Sequence, residues 1–175
     1  MLVGIGSNQG DSGAIVCSAM ERLAAYAKGT VSRSSLWRTS PVDCPPGSRE
    51  FVNAAVAFTP ATRLTPEALL DALKALEREF GRAPYLPRHA PRELDLDLLV
   101  FGDARRNTAD FVLPHPRATE RRFVLAPAAE VAPDLVWPGT ARTIRQLLDD
   151  LCSTERVELW TAPVVASDGR VEGHR

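Results

Sequence analysis

Apolar residues recur along this chain with two periods. Leu2 to Ile5 form a short hydrophobic run that stops at Gly6-Ser7-Asn8, which reads as a strand ending in a turn. Asp11 or Ser12 can cap the helix that follows, where Ile15, Val16, Ala19, Met20, Leu23 and Ala24 fall at helical spacing. Gly29 is expected to end that helix. Residues 31–38 read as a strand, and 39–49, with Pro41, Pro45, Pro46 and Gly47, as a loop. From 51 to 59, Phe51, Asn53, Ala55 and Ala57 alternate with Val52, Ala54, Val56 and Phe58, the composition of a central strand.

Thr65-Pro66 opens a second helix whose stripe is Leu69, Leu70, Leu73, Leu76 and Phe80, and Gly81 stops it. Pro84, Pro87 and Pro91 leave 82–92 as a basic loop. Residues 94–101 form a strand turned by Gly102-Asp103. The spacing then predicts a third helix over 117–131, interrupted near Pro127. A short fourth helix carries Ile144, Leu147, Leu148 and Leu151, a last strand covers 157–160, and 162–175 is a frayed, mobile tail. The order β-α-β-β-α-β predicts an α+β fold, a ferredoxin-like sandwich with helices packed on a mainly antiparallel sheet. Residues 1–161 are expected to form one domain, without repeats.

Composition narrows the function classes. With 175 residues and a net charge of −1, the chain has no global field to recruit nucleic acid or membrane. Cys17, Cys44 and Cys152 are odd in number and lack any CxxC, which points to free thiols in a cytoplasmic protein. No apolar run approaches the roughly 18 residues of a membrane span, and a monomer or small homo-oligomer is expected. Positive charge is concentrated, however. Residues 82–122 hold eight Arg and no Lys, and guanidinium forks match phosphate oxygens where ammonium groups act as point charges. There is no G-x-G-x-x-G or G-x-x-x-x-G-K-[ST] signature, so a nucleotide would not be held by a dinucleotide fold or a P-loop.

The chemistry concentrates in Pro91-Arg92-Glu93-Leu94-Asp95-Leu96-Asp97-Leu98. Strand alternation projects Asp95 and Asp97 to one face while Leu94, Leu96 and Leu98 face a core. Two carboxylates about 7 Å apart repel unless a cation joins them. Mg²⁺, which takes oxygen ligands and usually phosphate, is the candidate, against the alternative of a half-exposed edge strand with solvated carboxylates. Arg82, Arg88 and Arg92 before the pair, and His115, Arg117, Arg121 and Arg122 after it, could complete a polyphosphate site.

Five segments in order resemble one family, the 6-hydroxymethyl-7,8-dihydropterin pyrophosphokinases of folate biosynthesis. They are Gly6-Ser7-Asn8-Gln9-Gly10-Asp11; Arg38-Thr39-Ser40-Pro41 with Phe51-Val52-Asn53-Ala54; Glu77 with Gly81-Arg82; Arg92-Glu93-Leu94-Asp95-Leu96-Asp97; and Pro114-His115-Pro116-Arg117 with Arg121-Arg122-Phe123-Val124-Leu125. The resemblance implies transfer of pyrophosphate from ATP to the pterin hydroxymethyl group, with release of AMP. It implies that Asp95 and Asp97 hold two Mg²⁺ ions and that Arg82 and Arg92 act with them in catalysis. His115 and Arg121 would contact phosphate, Arg88 would belong to a lid, and Glu77 and the backbone around Leu98 would lie on the nucleotide side. Phe51 and Phe123 would sandwich the pterin. Asn53 would read its amide-like edge, and backbone near Thr39 and Val42 would complete the slot.

The basic loop departs from the family pattern. Arg88-His89-Ala90-Pro91-Arg92 stands where relatives carry Arg-Trp-Gly-Pro-Arg, and Pro84, Pro87 and Lys74 are also atypical. A pterin- or nucleotide-binding relative without turnover therefore stays open as an alternative. An RNA-binding module would need more exposed sheet aromatics than Phe51 and Phe58.

Overall fold

A computed structural model describes residues 1–81 and 93–160. The elements run β1 (Leu2–Ser7), α1 (Ser12–Leu23), β2 (Ala27–Arg33), β3 (Trp37–Thr39), β4 (Phe51–Pro60), α2 (Pro66–Glu79), β5 (Asp95–Val100), β6 (Arg106–Asn107), β7 (Val112–Leu113), α3 (Arg122–Val131), α4 (Ile144–Asp149) and β8 (Val157–Leu159). Among the described residues, the main sheet has the order β5-β1-β4-β3-β8, with β2 also paired to β4. Its pairings are antiparallel. With β2 and β3 counted as one interrupted strand, the order is that of a ferredoxin-like α+β sandwich, as the alternation of elements predicts.

Each sheet face is covered by helices because alternate residues of the same strands are apolar. Val3, Ile5, Val52, Val56, Leu96 and Leu98 meet Val16, Ala19 and Leu23 of α1 and Leu69, Leu73 and Leu76 of α2. On the other face, Leu2, Ala55, Leu99 and Val100 meet Leu125, Ala128 and Ala129 of α3, with Ile144 of α4. Helix ends follow the local sequence. Asp11 accepts the Ala14 N–H to cap α1, and Thr65 accepts that of Ala68 to cap α2. Thr143 and Gln146 form a reciprocal capping box on α4.

Four expectations about elements need correction. The strand expected over 31–38 breaks after Arg33, because Ser34 replaces a ladder carbonyl with its hydroxyl. The Ala55 N–H donates to Ser34 Oγ at 2.8 Å, while the Ser34 N–H still donates to the Ala55 carbonyl at 2.9 Å. Gly29 does not end α1. The helix stops at Leu23 and tightens through a 3-10 turn over Ala24–Tyr26, while Gly29, at φ +87°, sits in β2 where its register with β4 shifts. Helix α3 begins at Arg122, after a separate 3-10 turn over Ala118–Glu120, and continues through Pro127. A proline in that position removes one i→i−4 donor, and the buried stripe from Leu125 to Ala129 holds the remaining turns in place. The β6–β7 hairpin, two residues a side, is too short to show a period. The tail at 162–175 lies outside the described residues.

Candidate active site

Helix α3 covers one end of its sheet face and leaves the other end open. There the register sets Asn53, Gly6 and Asp95 in one cross-strand row, and Ala55, Gly4 and Asp97 in the next. Glycines in the middle strand keep this floor flat. A Cβ at Gly6 would lie 2.8 Å from Asn53 Oδ1, inside contact distance. Over the floor lies a cavity of about 280 Å³, lined by Thr39, Val42, Phe51, Asn53, Asp95, Asp97, His115, Arg121 and Phe123 among others. Nine positions expected from sequence thus share one space. Arg117, expected at the polyphosphate site, is a tenth, and Gly4, Gly6, Ser40, Cys44 and Val124 line it as well. The two strand glycines were the readable signal among these, since an interior glycine marks close approach.

The site has a polar end and an aromatic end. Asn53 Nδ2 donates to Thr39 Oγ1 at 2.7 Å, which fixes the amide and leaves Oδ1 over Gly6. Phe51 and Phe123 edge the same space, and the Arg121 guanidinium stands 5.4 Å from the Phe123 ring centroid. At the polar end, the His115 N–H donates to the Leu99 carbonyl at 3.0 Å, which ties the Pro114-His115 turn to β5. His115 Nδ1 accepts the Arg117 N–H at 3.3 Å, so the proton of the neutral ring lies on Nε2. Burial lowers the His115 pKa, partly offset by Asp97. Burial first, and then repulsion from Asp95, raise that of Asp97, while His115, Lys74 and Arg121 draw it down.

Burial and the neighbouring carboxylate both disfavour charge on Asp97, and a bound cation would favour it. Two carboxylates suit a hard cation whose remaining ligands come from phosphate and water. Among the described residues no three His, Cys, Asp or Glu side chains gather as a metal cage. Glu77 lies elsewhere. It is fully buried beneath α2, where it accepts the Leu96 N–H at 2.8 Å and Lys74 Nζ at 3.0 Å. Leu98 packs into the core of the opposite face. Arg82, Arg88 and Arg92, with His89 and Ala90, lie outside the described residues.

Fold and cavity together define a small α+β domain in which carboxylates, cationic side chains and two phenylalanines line one space. The family described as 7,8-dihydro-6-hydroxymethylpterin-pyrophosphokinase (HPPK) matches residues 2–133. The chain belongs to this family of pyrophosphokinases of folate biosynthesis. It is 42% identical over 162 residues to a 2-amino-4-hydroxy-6-hydroxymethyldihydropteridine pyrophosphokinase from Methylorubrum extorquens, covering 89% of this chain and 97% of that one. A protein of the same description from Synechocystis is 38% identical over 172 residues, covering 98% of this chain and 85% of the relative. The fold resembles that of a solved HPPK-DHPS in complex with substrates, at TM-score 0.65 and 12% identity. That likeness covers 85% of this chain and 42% of the solved one. No helix among the described residues is long and apolar enough to cross a membrane.

Proposed function

We propose that this cavity transfers the terminal pyrophosphoryl group of ATP to the hydroxymethyl oxygen of 6-hydroxymethyl-7,8-dihydropterin. The new bond joins that oxygen to the β-phosphorus. The bond from the β-phosphorus to the α,β-bridging oxygen breaks, AMP leaves, and the hydroxyl proton is released. The observation that carries this reading is the placement of Asp95, Asp97, Phe51, Asn53, Phe123, His115 and Arg121 around one space in a chain of this family.

Asp95 and Asp97 would hold Mg²⁺, two ions by analogy with the family. When bound, Mg²⁺ neutralises polyphosphate charge and acidifies the attacking hydroxyl. His115 donates from Nε2 to a phosphate oxygen, and Arg121 adds a charge-assisted donor beside it. Arg82 and Arg92 are assigned to the same polyphosphate, Arg88 to the covering loop, and Glu77 and the Leu98 backbone to the nucleotide side. Phe51 and Phe123 take the pterin between them by offset stacking. Asn53 Oδ1 accepts from the pterin N–H edge, while Thr39 keeps the amide from turning. Backbone at Thr39 and Val42 completes the recognition. Most of the rate then comes from holding the alcohol in line with an anion whose charge is already balanced. Residues 1–161 are assigned to one domain acting as a monomer or small homo-oligomer in the cytoplasm.

Incubation of the purified chain with Mg²⁺, ATP and the hydroxymethyl pterin tests this. AMP should appear in step with a pyrophosphorylated pterin. ADP in place of AMP would contradict the assigned bond cleavage, and pterin binding without any turnover would favour a relative that lost the reaction.

A further inference from the structure

Beyond residue 133, where the family match ends, the chain returns to the backs of two cavity-lining segments. Residues 153–156 run into β8 between the two walls of the slot. Neighbouring side chains on an extended segment point opposite ways, and Glu155 and Arg156 each reach one wall. Glu155 Oε2 accepts the Phe123 N–H at 3.1 Å. Phe123 is the second residue of α3, where the preceding side chain usually supplies the acceptor, yet Arg121 makes no capping bond. Glu155, 32 positions along the chain, caps the helix instead and brings negative charge to its positive end. The backbone pinned in this way carries one of the two slot aromatics.

Arg156 holds the facing wall. Its N–H donates to Ser40 Oγ at 3.2 Å, and its carbonyl accepts the Ser40 N–H at 3.0 Å. Its guanidinium pairs with Glu50, the residue before Phe51, and Arg38 Nε stands 3.7 Å from the other carboxylate oxygen. The loop that carries Val42 and Cys44 is thereby tied near both ends.

We infer that Glu155 and Arg156 form a positioning brace that sets the spacing between Phe51 and Phe123. The inference rests on the pterin reading of that slot. Neither residue lines the cavity, so both act through the walls they hold. A purely structural bond would lower stability and leave the relative affinities for the two substrates alone. A brace changes pterin binding selectively.

The test uses the full chain with Glu155→Ala, Glu155→Gln and Glu50→Gln, reading pterin Kd by fluorescence titration and KM for both substrates. Glu155→Ala should weaken pterin binding about tenfold while KM for ATP stays within about twofold. Glu155→Gln keeps an oxygen acceptor and should return to within about threefold of wild type. Glu50→Gln, which breaks the pair at the far wall, should weaken pterin binding about threefold. Unchanged pterin Kd in Glu155→Ala overturns the brace, as does an equal loss for both substrates or a glutamine variant as weak as the alanine one. If Glu155→Ala does not fold, Glu50→Gln with wild-type pterin affinity overturns it. Failure of the wild-type chain to bind pterin would instead sink the slot assignment itself.

Discussion

At Asp97, stability and the proposed function pull apart. Burial and the Asp95 carboxylate raise its pKa above the ordinary 3.8, so between that value and the raised one the folded chain binds the proton that the unfolded chain releases. Folding stability is therefore greatest where Asp97 is protonated, and it falls as pH rises from 3.8 through the raised value. Asp97→Asn removes the charge at nearly constant shape. In metal-free protein the variant should melt higher than wild type at pH 7, and the gap should close as pH falls below 3.8. Each kcal/mol corresponds to about 2–4 °C in a chain of this size. The same variant should lose at least about 100-fold in AMP release. A melting temperature at or below wild type at pH 7 would refute the charge argument. Gly6 gives a second test at this scale. Gly6→Ala sets a methyl 2.8 Å from Asn53 Oδ1, which forces the amide off its bond to Thr39. Pterin Kd should rise about tenfold, roughly the worth of one oriented hydrogen bond, while circular dichroism stays native.

At the scale of elements, the fold was readable wherever one period ran long enough. Leu69, Leu73 and Leu76 mark α2, and the alternation from Phe51 to Phe58 marks β4, because each repeats for several turns or pleats. The break between β2 and β3 was not readable, since the Ser34 hydroxyl that interrupts the ladder is joined there by Glu130 of α3. That carboxylate accepts the Ser35 N–H, the Ser35 hydroxyl and Trp37 Nε1 at 3.0, 2.6 and 2.9 Å, from almost a hundred residues away. A local pattern carries no trace of such a partner. Trp160 is a similar case. The sequence leaves it at the end of a weak strand, yet its ring packs on the first turn of α1, where a Cβ at Gly13 would come within 2.3 Å of it. Exposed helix glycines usually gain stability on change to alanine. Here Gly13→Ala should reverse that sign and destabilise by about 1–3 kcal/mol through overpacking. Urea unfolding measures it, and pairing with Trp160→Leu should recover most of the loss. A more stable single variant would show that the ring moves aside without penalty.

For the whole molecule, the candidate site is a product of register rather than of any single motif. The two carboxylates, Asn53 and Phe51 were legible because parity along one strand fixes their face. Their meeting was not, because it needs β1 to pair with β4 and β5 at once and to place Gly6 between Asn53 and Asp95. On the proposed reading, a cation at Asp95 and Asp97 takes its remaining ligands from the nucleotide phosphates, and the phosphates meet two carboxylates that the cation would screen. Their binding should therefore be coupled. Mg²⁺ alone and α,β-methylene-ATP alone should each raise the melting temperature slightly. Together they should raise it by more than the sum, because each removes the electrostatic penalty met by the other. The coupling needs Asp97 ionised, so it should weaken as pH falls through the raised pKa of that residue and vanish in Asp97→Asn. A tenfold mutual gain in affinity corresponds to about 1.4 kcal/mol, or about 3–6 °C at saturation, well within reach of thermal unfolding. Strictly additive shifts in the wild-type chain at pH 8 would mean that the cation and the phosphates do not meet at Asp95 and Asp97.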